Sequence, residues 1–137
     1  MEKRIKDILT DDELLEVNRL HKKIMDATTK TEINHYKYEI DQIFKKAKER
    51  YFRFSNVVEK HINYWDPMEL LSLGAPDDEY EVEIQRIADA LPQIRAESDL
   101  ALKIKEVFDH AFDGDFNYAK CLYIAQVIWR DFSNKTC

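Results

Sequence analysis

The chain has 137 residues, 35% of them charged and 45% hydrophobic, with a net charge of −6 and only two Gly and three Pro. That length suits one domain with a single core. The composition argues against a disordered polymer and a turn-rich β fold, and the acid excess opposes binding to phosphate backbones or anionic lipid. The charge is uneven: residues 1–50 carry 12 Lys/Arg against 11 Asp/Glu, and residues 51–137 carry 9 against 16, a net of −7.

Met1-Glu2-Lys3-Arg4 leads into no apolar stretch, so no secretory signal is expected. No apolar run reaches the 18 or so residues of a membrane span. Ile5, Ile8 and Leu9 form an additional turn ahead of the first helix. Thr10-Asp11-Asp12-Glu13 has the capping-box pattern and opens a helix with Leu14, Val17, Leu20 and Ile24 on one face. Thr29-Lys30-Thr31-Glu32 repeats the pattern. From there Ile33, Tyr36, Ile40, Ile43, Ala47, Tyr51, Phe54, Val58 and Ile62 recur at spacings of three and four, with no Gly or Pro to interrupt them. They predict either one long helix or one bent near Arg53–Asn56. The two helices make an αα-hairpin over residues 10–64, joined near Ala27–Thr31. A strict heptad along the second helix would put Arg50 at a core position, which favours packing within the chain over a coiled coil between copies.

Trp65-Asp66-Pro67 comes next. Asp66 suits an N-cap, Pro67 the first helical position and Glu69 the third, with Trp65 and Leu70 as a hydrophobic staple. The pattern predicts a short helix ending before Gly74, which would take positive φ. Asp77 caps the following helix, whose buried face is Tyr80, Ile84, Ile87 and Leu91 and which Pro92 ends or kinks. Ser98 caps another helix facing the core with Leu100, Ile104, Val107, Phe108 and Ala111, and Asp113-Gly114-Asp115 breaks it. The last helix, about Phe116–Asp131, is apolar on more than one side, which makes it the central helix of the bundle or a dimer contact. The expected fold is all-α: a single-domain, irregular helical bundle of five or six helices over residues 1–137, with a long N-terminal αα-hairpin.

Chemistry is harder to find. Between Lys60 and Arg86 there is no Lys or Arg, while Asp66, Glu69, Asp77, Asp78, Glu79, Glu81 and Glu83 all fall in that gap. Carboxylates are hard oxygen ligands, but no histidine or Asn-rich loop joins them, so neither a metal nor another cofactor is expected. Asp109 to Lys120 fails as a calcium loop, with Ala111 at position three and Lys120 where a bidentate Glu is needed. His21, His35, His61 and His110 form no zinc motif, and His61 reads as a boundary residue bonded to a polar neighbour. Cys121 sits in an apolar run and Cys137 ends the chain; neither suggests a disulfide framework. Arg50 and Arg53 interleave with Tyr51, Phe52 and Phe54, as in a stacking platform, yet Tyr51 and Phe54 continue the buried face. Neither nucleic acid nor membrane is an expected partner, and no catalytic residues are assigned. The acidic gap reads as a protein-binding face: Trp65 or Tyr80 as anchor, with Asp66, Asp77, Asp78, Glu79, Glu81 and Glu83 around it.

Tyr64-Trp65-Asp66-Pro67-Met68, followed by Ala75-Pro76-Asp77-Asp78-Glu79-Tyr80-Glu81 and Glu83-Ile84, resembles a family of small bacterial helical domains of unknown function. That family carries a Trp-Asp-Pro corner and a downstream Asp-Glu-Tyr segment, and similar sequences occur among immunity proteins of polymorphic toxin systems. The resemblance covers about residues 57–112. It implies an all-helical, cytoplasmic domain and is compatible with immunity, but supplies no catalytic residues. The expected function is a non-enzymatic interaction module, in concrete form an immunity protein whose acidic face covers a basic toxin. The alternatives are a small metal-dependent hydrolase, in which carboxylates converge with His61 or His110, and a structural homodimer.

Overall fold

The computed structural model describes residues 7–76 and 78–134. The described residues form five α-helices, α1 (Asp11–Asp26), α2 (Lys30–Trp65), α3 (Glu81–Asp89), α4 (Glu97–Phe112) and α5 (Tyr118–Asn134), with a 3-10 turn at Leu91–Gln93. No strand is present among them. The fold is all-α, as expected, and none of these helices is long and apolar enough to cross a membrane. Ile5, Asp77 and Cys137 lie outside the described residues. The chain groups into two compact units, residues 1–51 and 52–137, with the boundary falling inside α2.

The first unit is the helical hairpin. Thr10 caps α1: its hydroxyl accepts from the Glu13 N–H at 3.1 Å, and the Glu13 carboxylate accepts from the Thr10 N–H at 2.9 Å. At the start of α2 one such bond is present, the Thr29 hydroxyl accepting from the Glu32 N–H at 3.2 Å. The core takes Val17 and Leu20 from α1, Ile40 and Ala47 from α2, and Ile8 and Leu9 from the segment before α1. Leu14, expected on the inner face, is exposed, and Ile8 and Leu9 take up core positions instead. Arg50 explains its awkward heptad position. Its guanidinium donates to both Glu13 oxygens at 3.0 and 2.7 Å, and to the Ile8 carbonyl at 3.3 Å. One carboxylate thus closes the capping box and anchors α2. Burial would raise the Glu13 pKa, but the Arg50 and Thr10 hydrogen bonds outweigh it and hold it below its ordinary value.

The second unit is an irregular bundle of the C-terminal part of α2 with α3, α4 and α5, in which α4 packs on both α3 and α5. Phe54, Val57, Val58 and Ile62 carry the α2 stripe into its core. Ile84 and Ile87, Leu100, Ile104 and Phe108, and Cys121, Ala125 and Ile128 meet it from the other helices. Trp65, Tyr80, Phe108, Phe112 and Phe116 pack edge-on, tilted or stacked, with the contacting centroids 5.7 to 6.3 Å apart. The α4 helix starts at Glu97, so Ser98 lies inside it rather than capping it, and Asp99 instead accepts from the Arg95 N–H at 3.0 Å. Ala111 is exposed. Asp113 ends α4 in the left-handed conformation, φ 48°, where the helix breaker is expected.

Candidate functional site

The Trp-Asp-Pro corner is not the start of a helix: residues 67–74 form consecutive turns. The backbone explains the difference. Asp66 takes φ 48°, outside the extended conformation an N-cap needs, after its N–H closes the last bond of α2 on the Ile62 carbonyl at 2.8 Å. Its carboxylate then reaches forward. One oxygen accepts from the Leu71 N–H at 3.1 Å and from the Tyr80 hydroxyl at 2.6 Å, and the other accepts from the Ser72 N–H at 2.9 Å. The Tyr80 hydroxyl in turn accepts from the Met68 N–H at 3.1 Å. Gly74 carries φ 98° where positive φ is expected. Burial would raise the Asp66 pKa, but hydrogen bonds from Tyr80, Ser72 and Leu71 outweigh it and hold the carboxyl below its ordinary value. The partner moves oppositely: burial, then the bond to Asp66, pushes the Tyr80 phenol up to about 12.

This geometry sorts the sequence candidates. Tyr80 is 0% exposed and braces the corner, so it is no surface anchor. Asp66 uses its carboxylate internally. Glu83, at 8% exposure, is turned into the protein, because it falls beside Ile84 on the inner face of α3. Trp65 is half-buried, edge-on to Phe108 and Phe116. Asp78, Glu79 and Glu81 are exposed, and none of the three pairs with a described basic residue.

Asp78 and Glu81 also line a cleft of about 230 Å³ whose opposite wall is Ser55 and Glu59 of α2. Ile84 and Gln85 complete it, so among the described residues the cleft holds three carboxylates and no cationic side chain. Among the described residues no three or more His, Cys, Asp or Glu side chains are close enough together to hold a metal ion. Glu59 is absent from the sequence candidates because it lies some twenty residues upstream; its signal is the i,i+4 pairing with Ser55 on one face of α2.

The histidines take other places. His61 lies with Nε2 2.8 Å from Asp131 Oδ2, the polar neighbour its boundary position calls for, and the Lys60 ammonium reaches the same oxygen at 3.3 Å. His110 lines a cleft of about 360 Å³ with Asp89 and Glu106, but also with Arg86 and Lys103. The failed calcium loop has a protein cation inside it. The Lys105 ammonium donates to Asp109 at 2.8 Å and to Asp115 and the Phe116 carbonyl at 2.7 Å. The other Asp109 oxygen accepts from the Phe116 N–H at 2.6 Å. Of the suggested stacking platform, Phe54 is fully buried and the Arg53 guanidinium lies over the Phe132 ring, 4.5 Å from its centroid.

A larger concavity, about 540 Å³, runs between α2 and α5. Tyr64, Trp65, Tyr123, Ile124 and Val127 form its walls. Among the described residues, Lys60, His61 and Lys120 are the charged or titratable nitrogen groups that line it, and no carboxylate does.

Residues 56–130, more than half of the chain, match the family model described as Domain of unknown function (DUF1871), and the chain belongs to that family. The match takes in the end of α2, the corner, α3, α4 and most of α5. It extends beyond the 57–112 portion that carries the sequence resemblance. No curated protein and no solved structure matches the chain.

Proposed function

We propose that this member of the family is a non-enzymatic protein-interaction module that docks a basic protein partner on its acidic face, as an immunity protein docks a toxin. The observation that carries the reading is the set of exposed carboxylates at Asp78, Glu79 and Glu81, unpaired among the described residues and continuous with the Glu59 side of an acidic cleft. Unpaired surface charge of one sign raises the encounter rate with an oppositely charged partner. The corner supports it from behind: the Asp66–Tyr80 bond ties the middle of the acidic segment, between Glu79 and Glu81, to the end of α2. Within this reading Trp65 contributes mainly by packing, and the acidic contact comes from Asp78, Glu79, Glu81 and Glu59.

The test is kinetic. With the partner isolated on the tagged chain from its source cells, the triple reversal Asp78→Lys, Glu79→Lys and Glu81→Lys is expected to slow association about tenfold or more at low salt and by less at high salt. An association rate indifferent to both salt and the reversal contradicts the reading.

A further inference from the structure

The groove between α2 and α5 has a polarity that the acidic face does not explain. Asp131, near the end of α5, meets Lys60 and His61 of α2, while Trp65, at the end of α2, meets Phe116 ahead of α5. The two helices therefore run antiparallel here, and the two lysines stand at opposite ends of the groove: Lys60 near Val127, Lys120 near Trp65. The ends differ in charge. Lys60 is neutralised by Asp131, whereas the Lys120 ammonium has no partner among the described residues. Between them lies apolar surface from Tyr64, Tyr123, Ile124 and Val127, with Tyr64 91% and Tyr123 59% exposed. A concavity of this volume, mostly apolar with a few polar groups, has the make-up of a small-ligand site. Its positive end stands out in a unit whose sequence is strongly acidic.

We propose that this groove binds a small amphipathic carboxylate, its anionic group at Lys120 beside Trp65 and its apolar body along Tyr64, Tyr123, Ile124 and Val127. The Lys120 ammonium, unpaired among the described residues, sets the sign of the head group, and no carboxylate among those residues lines the groove to repel it. Burial of the apolar body supplies the affinity, and the charge at one end supplies orientation and selectivity.

The experiment is calorimetric titration of the full chain with decanoate below its aggregation range, beside decanol and decyltrimethylammonium, with Trp fluorescence as a second readout. Saturable 1:1 binding of decanoate is expected, with the alcohol and the cation weaker by about tenfold or more, the scale of a lost charge-assisted contact. Lys120→Glu is expected to weaken decanoate by a similar factor, and Lys60→Glu by less than about threefold, because Lys60 stands at the end of the groove away from the head group. Both lysines are solvent-exposed, and circular dichroism checks that both variants fold. Absence of saturation, equal binding of the cationic probe, or equal loss in the two variants would overturn the proposal. So would sedimentation showing a dimer that Tyr64→Glu dissociates, since a second copy would then occupy the groove.

Discussion

At the scale of single residues, the pair Asp66 and Tyr80 decides the shape of the region between α2 and α3. A left-handed backbone is costly for most L-residues, and Asp tolerates it better than most. Here the carboxylate also gathers two backbone N–H groups and a buried phenol. Tyr80→Phe removes one donor and one acceptor from that arrangement, leaving the Met68 N–H and an Asp66 oxygen each short of a partner. Urea unfolding is expected to show a loss of about 1–3 kcal/mol, and a loss well below that range would contradict the bracing role. The pH dependence has a definite sign. The folded Tyr80 phenol titrates near 12 against an ordinary 10.0, so its contribution is complete below pH 10 and is lost as pH rises toward 12. The difference in stability between the native chain and Tyr80→Phe is expected to shrink over that interval. Asp66 acts at the other limb: its folded pKa is lowered, so its contribution is present above the ordinary 3.8 and is lost as pH falls through the folded value. The sequence showed that Asp66-Pro67 is a corner but not which kind. Local spacing describes an N-cap well, whereas the hydroxyl that captures Asp66 comes from fourteen residues downstream.

At the scale of elements, what was legible followed from periodicity. The stripe from Ile33 to Ile62 predicts a continuous helical face, as one long helix or one bent near Arg53–Asn56; it forms as the single helix α2, and every member of the stripe is buried or half-buried. The Thr10 capping box forms with both of its bonds. What was not legible is pairing between elements. Glu13 reads as a capping residue and Arg50 as a flaw in a heptad; only their meeting across the hairpin explains both. Arg50→Met keeps the aliphatic reach but leaves Glu13 without its strongest partner. It is expected to cost about 1–2 kcal/mol, since the pair is partly exposed, and a double-mutant cycle with Glu13→Gln would show coupling. No change in the cycle would mean the pair is incidental. Lys105 is a similar case. Its side chain ties the last turns of α4 to the segment entering α5 through three oxygens. The Asp109 and Asp115 hydrogen bonds raise its pKa, so the ammonium keeps its charge through neutral pH. Lys105→Met is expected to speed hydrogen exchange at the Phe116 N–H about tenfold or more, by loosening the Asp109 carboxylate that receives it. Unchanged protection there would assign the loop's order to packing of Phe116 alone.

At the scale of the whole chain, charge and family point to the same stretch. The acid excess lies in residues 51–137, and the family match covers residues 56–130. The sequence picked out that acidic stretch as a candidate but overcounted the exposed face. Asp66, Tyr80 and Glu83 turn inward, for reasons that only tertiary packing supplies, while Glu59 joins from α2. The most direct measurement is capture of partners from the source cells on the tagged chain and, in parallel, on the folded Asp78→Lys, Glu79→Lys, Glu81→Lys variant. One basic protein is expected, recovered near stoichiometry with the native chain and largely lost from the variant. Recovery of the same protein in equal amount on both, or of no stoichiometric partner on either, would contradict it.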